Sequence, residues 1–156
     1  MRSIEVSCNA YLWMVGKQMW RVERTEHIEI AQRYAVELGF GMPTGVQQQI
    51  ASMGGTPDVE TSGNVPASTP RYGDSLNPSI GQGAVTASPL QIAQFYATVA
   101  RSGVRIPTSL VLEVRHPDGS VIHADPPQEI SVHIDKHYFD IVKEGLERVP
   151  VSGTAA

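Results

Sequence analysis

Apolar residues recur at intervals of three and four in three parts of the chain, a spacing that predicts amphipathic helices. The pattern places these helices near residues 26–38, 89–102 and 136–149. Over residues 110–123, apolar and polar residues alternate on either side of a His-Pro-Asp-Gly turn, which predicts a β-hairpin. The chain is therefore predicted to be mainly α-helical, with one small hairpin and without a large central sheet.

Capping residues define the predicted helix boundaries. Thr25 is the expected N-cap of the first helix, and Gly39 is its expected stop. The second helix begins with Ser88-Pro89-Leu90-Gln91, a capping box with proline at the first helical position. Asp135 is placed to cap the third helix. The aromatic and aliphatic segment 8–20 precedes all three helices and is predicted to be a helix or turn buried on most sides.

Composition excludes several classes of function. The chain has 156 residues, the size of one domain, and a net charge of -4 without a basic run, which argues against a nucleic-acid partner. No apolar segment approaches the length that spans a bilayer, and no signal peptide is recognisable, so we expect neither an anchor nor a signal in this chain. The single cysteine, Cys8, excludes an internal disulfide and is interpreted as a small buried hydrophobe.

A long segment without periodicity, residues 54–87, separates the first two predicted helices. Compact domains seldom contain such a stretch unless it is a working loop or docks on another element. Within it, Gly73-Asp74-Ser75-Leu76 matches the signature of the GDSL esterases. Such an enzyme needs a later Asp-x-x-His to orient its base, and no aspartate of this chain has a histidine three residues on. A stand-alone esterase is therefore the least favoured hypothesis.

Two other patterns are better explained as structure than as binding sites. His133 and His137 are four residues apart, as paired metal ligands are, but no third ligand follows at a useful spacing. Segment 39–45 contains three glycines, yet it follows a predicted helix where a dinucleotide-binding fold requires a strand. We interpret that segment as the turn after the first predicted helix, and we predict neither a metal nor a cofactor.

Several motifs occur in an order and spacing that identify a family. Ser7-Cys8-Asn9 matches the Ser-x-Asn element of the penicillin-interacting serine enzymes. Residues 72–89, which read YGDSLNPSIGQGAVTASP, resemble the loop that crosses the floor of the transpeptidase domain in class B penicillin-binding proteins. Phe40-Gly41, Thr44-Gly45 and the segment 88–93 occur at the matching positions. The chain thus resembles a class B transpeptidase domain and is similar to the elongation-type group that includes penicillin-binding protein 2.

The resemblance implies part of a peptidoglycan D,D-transpeptidase. In that family a serine attacks the D-Ala-D-Ala carbonyl of one stem peptide, and an amine of a second peptide resolves the acyl-enzyme; β-lactams acylate the same serine. Ser7 and Asn9 are the implied catalytic residues: the serine joins the proton-transfer network, and the asparagine amide binds both the substrate carbonyl and the catalytic lysine. The resemblance also implies the helical subdomain of the penicillin-binding and serine β-lactamase-like fold, on the periplasmic side of the inner membrane.

Two elements of the family's motif set are missing from the sequence. No serine has a lysine three residues later, and no lysine is followed by Thr-Gly. We therefore expect residues 1–156 to be the central part of the domain, between the Ser-x-x-Lys and Lys-Thr-Gly motifs, and to be inactive alone. Helical faces that would pack on the absent elements should then be covered by self-association or by a partner chain. The alternative is a non-catalytic cell-wall interaction module that retains the helical scaffold.

Overall fold

The computed structural model describes residues 2–26, 28, 30–46, 76–82, 86–123 and 127–156. These residues are mainly helical, as predicted. The helices are α1 (Arg2–Glu5), α2 (Asn9–Glu26), α3 (Ile30–Glu37), α4 (Pro89–Ala100) and α5 (Lys136–Ser152), with a 3₁₀ turn at Pro78–Ile80. The strands are β1 (Val104–Arg105), β2 (Glu113–Arg115), β3 (Val121–His123) and β4 (Ile130–Ser131).

The strands form two separate antiparallel pairs. β2 and β3 make the predicted hairpin, with Val114 opposite Ile122. β1 pairs with β4, with Val104 opposite Ser131. The predicted hairpin is confirmed, and the described residues contain no large sheet, while the second pair was not predicted. Each strand of the second pair has only two residues, too few for an alternating pattern to be visible in the sequence.

The N-terminal boundary predicted for the first helix is also wrong. Helix α2 continues through Thr25 to Glu26, and the Thr25 hydroxyl donates to the carbonyl of Arg21 inside the helix (2.9 Å). A residue of α2 caps the N-terminus of α3: the Glu23 carboxylate accepts a hydrogen bond from the amide of Ala31 (3.1 Å). A side chain on the preceding helix thus takes the role expected of the adjacent threonine.

The capping box of α4 is confirmed. Ser88 Oγ accepts a hydrogen bond from the Gln91 amide (3.2 Å), and Gln91 Oε1 accepts one from the Ser88 amide (3.0 Å). The helix ends at Ala100 rather than at residue 102. These reciprocal bonds satisfy two amides that a helix start otherwise leaves unpaired, which is why this boundary is visible in the sequence.

The N-cap predicted for α5 is confirmed as well. The Asp135 carboxylate accepts a hydrogen bond from the amide of His137 (2.8 Å). The helix then extends to Ser152, beyond the predicted end at residue 149, and includes Pro150.

Buried side-chain amides attach α4 to the turn that follows α3. Gln94 Nε2 donates to the Thr44 carbonyl (2.8 Å) and to the Thr108 hydroxyl (2.7 Å). Gln91 Nε2 donates to the carbonyl of Met42 (3.1 Å). Because a buried amide is destabilising unless it is hydrogen-bonded, these contacts fix segment 42–44 against α4.

The apolar interior of the described residues is small. Val99 and Phe139 are 4% and 5% exposed. They belong to α4 and α5, which pack against each other. The aromatic segment 8–20, predicted to be buried, is instead largely exposed: Tyr11 is 51% and Met14 is 69% exposed. Its α-helix packs on α3 and on the 3₁₀ turn, so other sides of the helix remain uncovered.

Gly103→Ala should destabilise the chain more than Gly119→Ala. Both glycines have left-handed backbones, with φ of +93 and +86. A Cβ at residue 103 would lie 2.7 Å from Cε2 of Phe139, whereas a Cβ at residue 119 would have no heavy atom within 4 Å. We expect a loss of about 1–2 kcal/mol at residue 119 from backbone strain, and about 1–3 kcal/mol more at residue 103 from overpacking. Urea denaturation of both variants measures the difference, and equal losses would contradict the tight Gly103–Phe139 packing.

Candidate functional site

Ser7-Cys8-Asn9 forms the junction between α1 and α2. Ser7 has a left-handed backbone, with φ of +48, and Asn9 is the first residue of α2. Both residues are exposed, while Cys8 is free and half-buried rather than buried. A left-handed conformation in a residue other than glycine costs about 1–3 kcal/mol, so the surrounding structure must hold the junction in place.

Helix α1, which leads into the junction, is held by α5. With four residues, α1 is too short to be stable alone. A Cβ on Gly145 of α5 would lie 3.1 Å from Cβ of Ile4, and a Cβ on Gly153 would collide with the Glu5 carbonyl oxygen. The absence of side chains at these two glycines therefore lets the C-terminal part of α5 approach α1 closely.

Polar contacts extend this packing into the C-terminal tail, residues 152–156. Ser152 Oγ donates to Glu5 Oε1 (2.8 Å), and the Thr154 amide donates to the Glu5 carbonyl (3.3 Å). The hydroxyls of Thr154 and Ser7 are hydrogen-bonded at 3.2 Å. Thr154 was not predicted from the sequence, because the tail has no apolar periodicity. The available signal was Gly153 between two hydroxyl residues, directly after a helix.

The chemistry of the junction is that of hydrogen-bonding groups. A serine hydroxyl donates and accepts at once, and an asparagine amide can bridge a carbonyl and an ammonium. The contact that Ser7 makes with Thr154 is with a second hydroxyl, which is not a base at neutral pH. This contact orients Ser7 without activating it as a nucleophile.

A serine–lysine contact lies elsewhere in the fold, at the end of α4. Lys143 Nζ donates to Ser102 Oγ (2.8 Å) and forms an ion pair with Asp140 (2.9 Å). Hydrogen bonds from Lys136, and then from Lys143, lower the pKa of Asp140 to about 2. Lys143 thus bridges Asp140 and Ser102, and the cluster joins the end of α4 to α5.

The remaining sequence candidates do not converge. His133 Nδ1 lies 3.1 Å from Oε1 of Glu37, whereas the ring of His137 packs on Tyr138 with centroids 5.9 Å apart. Within the described ranges, no group of three His, Cys, Asp or Glu side chains is arranged to hold a metal ion. Residues 73–75 of the esterase-like motif lie outside the described residues. No helix in the described part of the chain combines the length and the apolar character needed to cross a membrane.

Known proteins share both the sequence pattern and the fold. Residues 2–156 match the family model Transpeptidase, described as the penicillin binding protein transpeptidase domain. The chain is 29% identical over 157 residues to the peptidoglycan D,D-transpeptidase MrdA of Acinetobacter baumannii, covering 94% of this chain and 22% of that protein. It is 27% identical over 169 residues to penicillin-binding protein 2A of Bacillus subtilis, covering 99% of this chain and 22% of that protein.

A solved structure gives the same assignment. Penicillin-binding protein 2B of Streptococcus pneumoniae strain 5204 has a TM-score of 0.75 and 25% sequence identity, covering 96% of this chain and 26% of that chain. The chain thus spans about a fifth of the length of the curated relatives it matches.

Proposed function

The chain belongs to the penicillin-binding protein transpeptidase family, and from that premise we propose that it is the part of a peptidoglycan D,D-transpeptidase that carries the second catalytic motif. The observation that carries the proposal is the junction at Ser7-Cys8-Asn9, where Ser7 and Asn9 are exposed, Ser7 has a left-handed backbone, and the preceding helix α1 packs on α5. Strained backbone that the surrounding structure maintains is typical of active sites.

In the proposed enzyme the chemistry is divided among three segments. A Ser-x-x-Lys segment before residue 1 supplies the nucleophile and its base, and a Lys-Thr-Gly strand after residue 156 completes the site. Ser7 joins the proton-transfer network, and the Asn9 amide binds the carbonyl of a peptidoglycan stem peptide and the catalytic lysine. We place this reaction on the periplasmic side of the inner membrane. β-Lactams acylate the same nucleophile.

The isolated chain should form no covalent adduct with a β-lactam. The sequence contains no Ser-x-x-Lys, and in the described residues Lys143, which donates to Ser102, is also paired with Asp140. Acylation requires a serine with an adjacent base. Intact-mass spectrometry after prolonged incubation with a reactive penicillin measures the outcome. A stoichiometric adduct on any serine would contradict the proposal that this chain is inactive alone.

Ser7 and Asn9 should become essential when the missing segments are supplied. We define the hybrid domain as the A. baumannii MrdA transpeptidase domain in which this chain replaces its matching segment. Ser7→Ala and Asn9→Ala should each reduce the acylation rate with a fluorescent penicillin by about 10²-fold or more, because the first removes a proton-transfer group and the second an amide that binds the reacting carbonyl.

The matched control is Ser131→Ala, an exposed serine on β4. This variant should acylate within about twofold of the unsubstituted hybrid domain, since surface changes away from a site have small effects. Acylation by Ser7→Ala at the rate of this control would refute the assignment of the second motif.

A second candidate function is a non-catalytic interaction module. It is favoured by the apolar side chains left exposed on α4 and α5, where Ile92, Tyr96 and Tyr138 are 44%, 52% and 62% exposed. Exposed apolar surface of this kind marks interaction sites. In the transpeptidase proposal, the rest of the domain covers these faces.

The isolated chain should consequently self-associate. Each large apolar side chain left in water forgoes about 1.5–3 kcal/mol, a large share of a net stability of about 5–15 kcal/mol. Sedimentation velocity over a range of concentrations measures the association. A monomer with a sharp, cooperative melt at all concentrations would show that the helical scaffold is self-sufficient, and would favour the interaction module.

A further inference from the structure

The neighbouring helix α1 holds the backbone of the Ser7 junction, whereas the Ser7 side chain is held from the C-terminal tail. Local hydrogen bonds run from the Ser7 amide to Ile4 (3.2 Å) and from the Cys8 amide to Ser3 (2.9 Å). These bonds close the last turn of α1, but they involve backbone atoms and do not reach the Ser7 side chain. The described contact that reaches the Ser7 hydroxyl comes from Thr154, which is 147 residues away in the chain.

Thr154 is held in place by contacts of its own backbone and of the two residues before it with Glu5. Its amide donates to the Glu5 carbonyl (3.3 Å), and Gly153 before it approaches the same carbonyl too closely to carry a side chain. Ser152 adds a hydrogen bond to the Glu5 carboxylate (2.8 Å). The tail is therefore anchored on the residue that ends α1, and this anchor brings the Thr154 hydroxyl to Ser7.

We infer that Thr154 is a positioning residue for Ser7, which it orients through the hydrogen bond between the two hydroxyls. The inference rests on the proposed function, because it assigns a role to Ser7 in proton transfer. A threonine hydroxyl has one donor and two acceptor sites, so it can hold Ser7 whether Ser7 is donating or accepting. It has no basic group and takes no proton itself.

The role predicts a specific order among variants of the hybrid domain defined above. Thr154→Val removes the hydroxyl at nearly constant volume and should lower the acylation rate about tenfold, whereas Thr154→Ser keeps a hydroxyl and should stay within about twofold. Thr25→Val is the matched control: its hydroxyl donates to Arg21 within α2. It should also stay within about twofold of the unsubstituted domain.

A double-mutant cycle separates positioning from a purely structural effect. If Thr154 acts through Ser7, then Thr154→Val should change the rate less than about twofold when Ser7→Ala is already present. An equal tenfold loss in both backgrounds, or no loss in either, would overturn the inference. A lack of effect of Ser7→Ala alone would instead overturn the proposed function, so the two failures are distinguishable. Circular dichroism melts of each variant show whether a loss of rate follows from unfolding.

Discussion

The hydrogen bonds of two buried glutamines on α4 determine the arrangement of the elements around them. Leaving one buried amide unpaired costs about 1–3 kcal/mol, so Gln91 and Gln94 require the carbonyls of Met42 and Thr44 to lie where they do. Thr108 joins the same cluster and brings the chain after α4 back alongside it. The next elements follow from this geometry: β1 pairs with β4, and β4 leads to α5, which packs on α1.

Features of this fold could be predicted where the interacting residues are close in the sequence, and not where they are far apart. The start of α4 could be predicted because Ser88 and Gln91 are three residues apart and satisfy each other. The start of α3 could not, because the carboxylate that caps it belongs to Glu23 on another helix. The pairing of β1 with β4 joins Val104 to Ser131 through tertiary structure, and two-residue strands carry no periodic signal.

The candidate site shows the same contrast between local motifs and tertiary contacts. Ser7 and Asn9 could be selected as candidates because their motif is contiguous in the sequence, and both residues are exposed in the structure. Thr154 was not identified, because its contact with Ser7 forms only in the folded chain and the local signal around Gly153 is weak. The exposure of Tyr11 and Met14 was missed for a related reason: aromatic content shows what a segment could bury, but not whether another element is there to cover it.

In the proposed reaction, the hydrogen-bonding groups of the junction orient and bind, while the nucleophile and base belong to other segments. Precise orientation requires rigid support, and here that support is the close packing of Gly145 and Gly153 on α1. Under this proposal, membership of the family does not by itself make the chain an active enzyme.

The contacts between Glu5, Ser7 and the tail have a consequence for how the protein is made. They join residues 147 positions apart, and closing so long a loop is entropically unfavourable until the intervening helices have packed. During synthesis, Ser7 leaves the ribosome long before Thr154 does. The contact between Ser7 and the tail can therefore form only after residue 154 has emerged, 147 residues after Ser7.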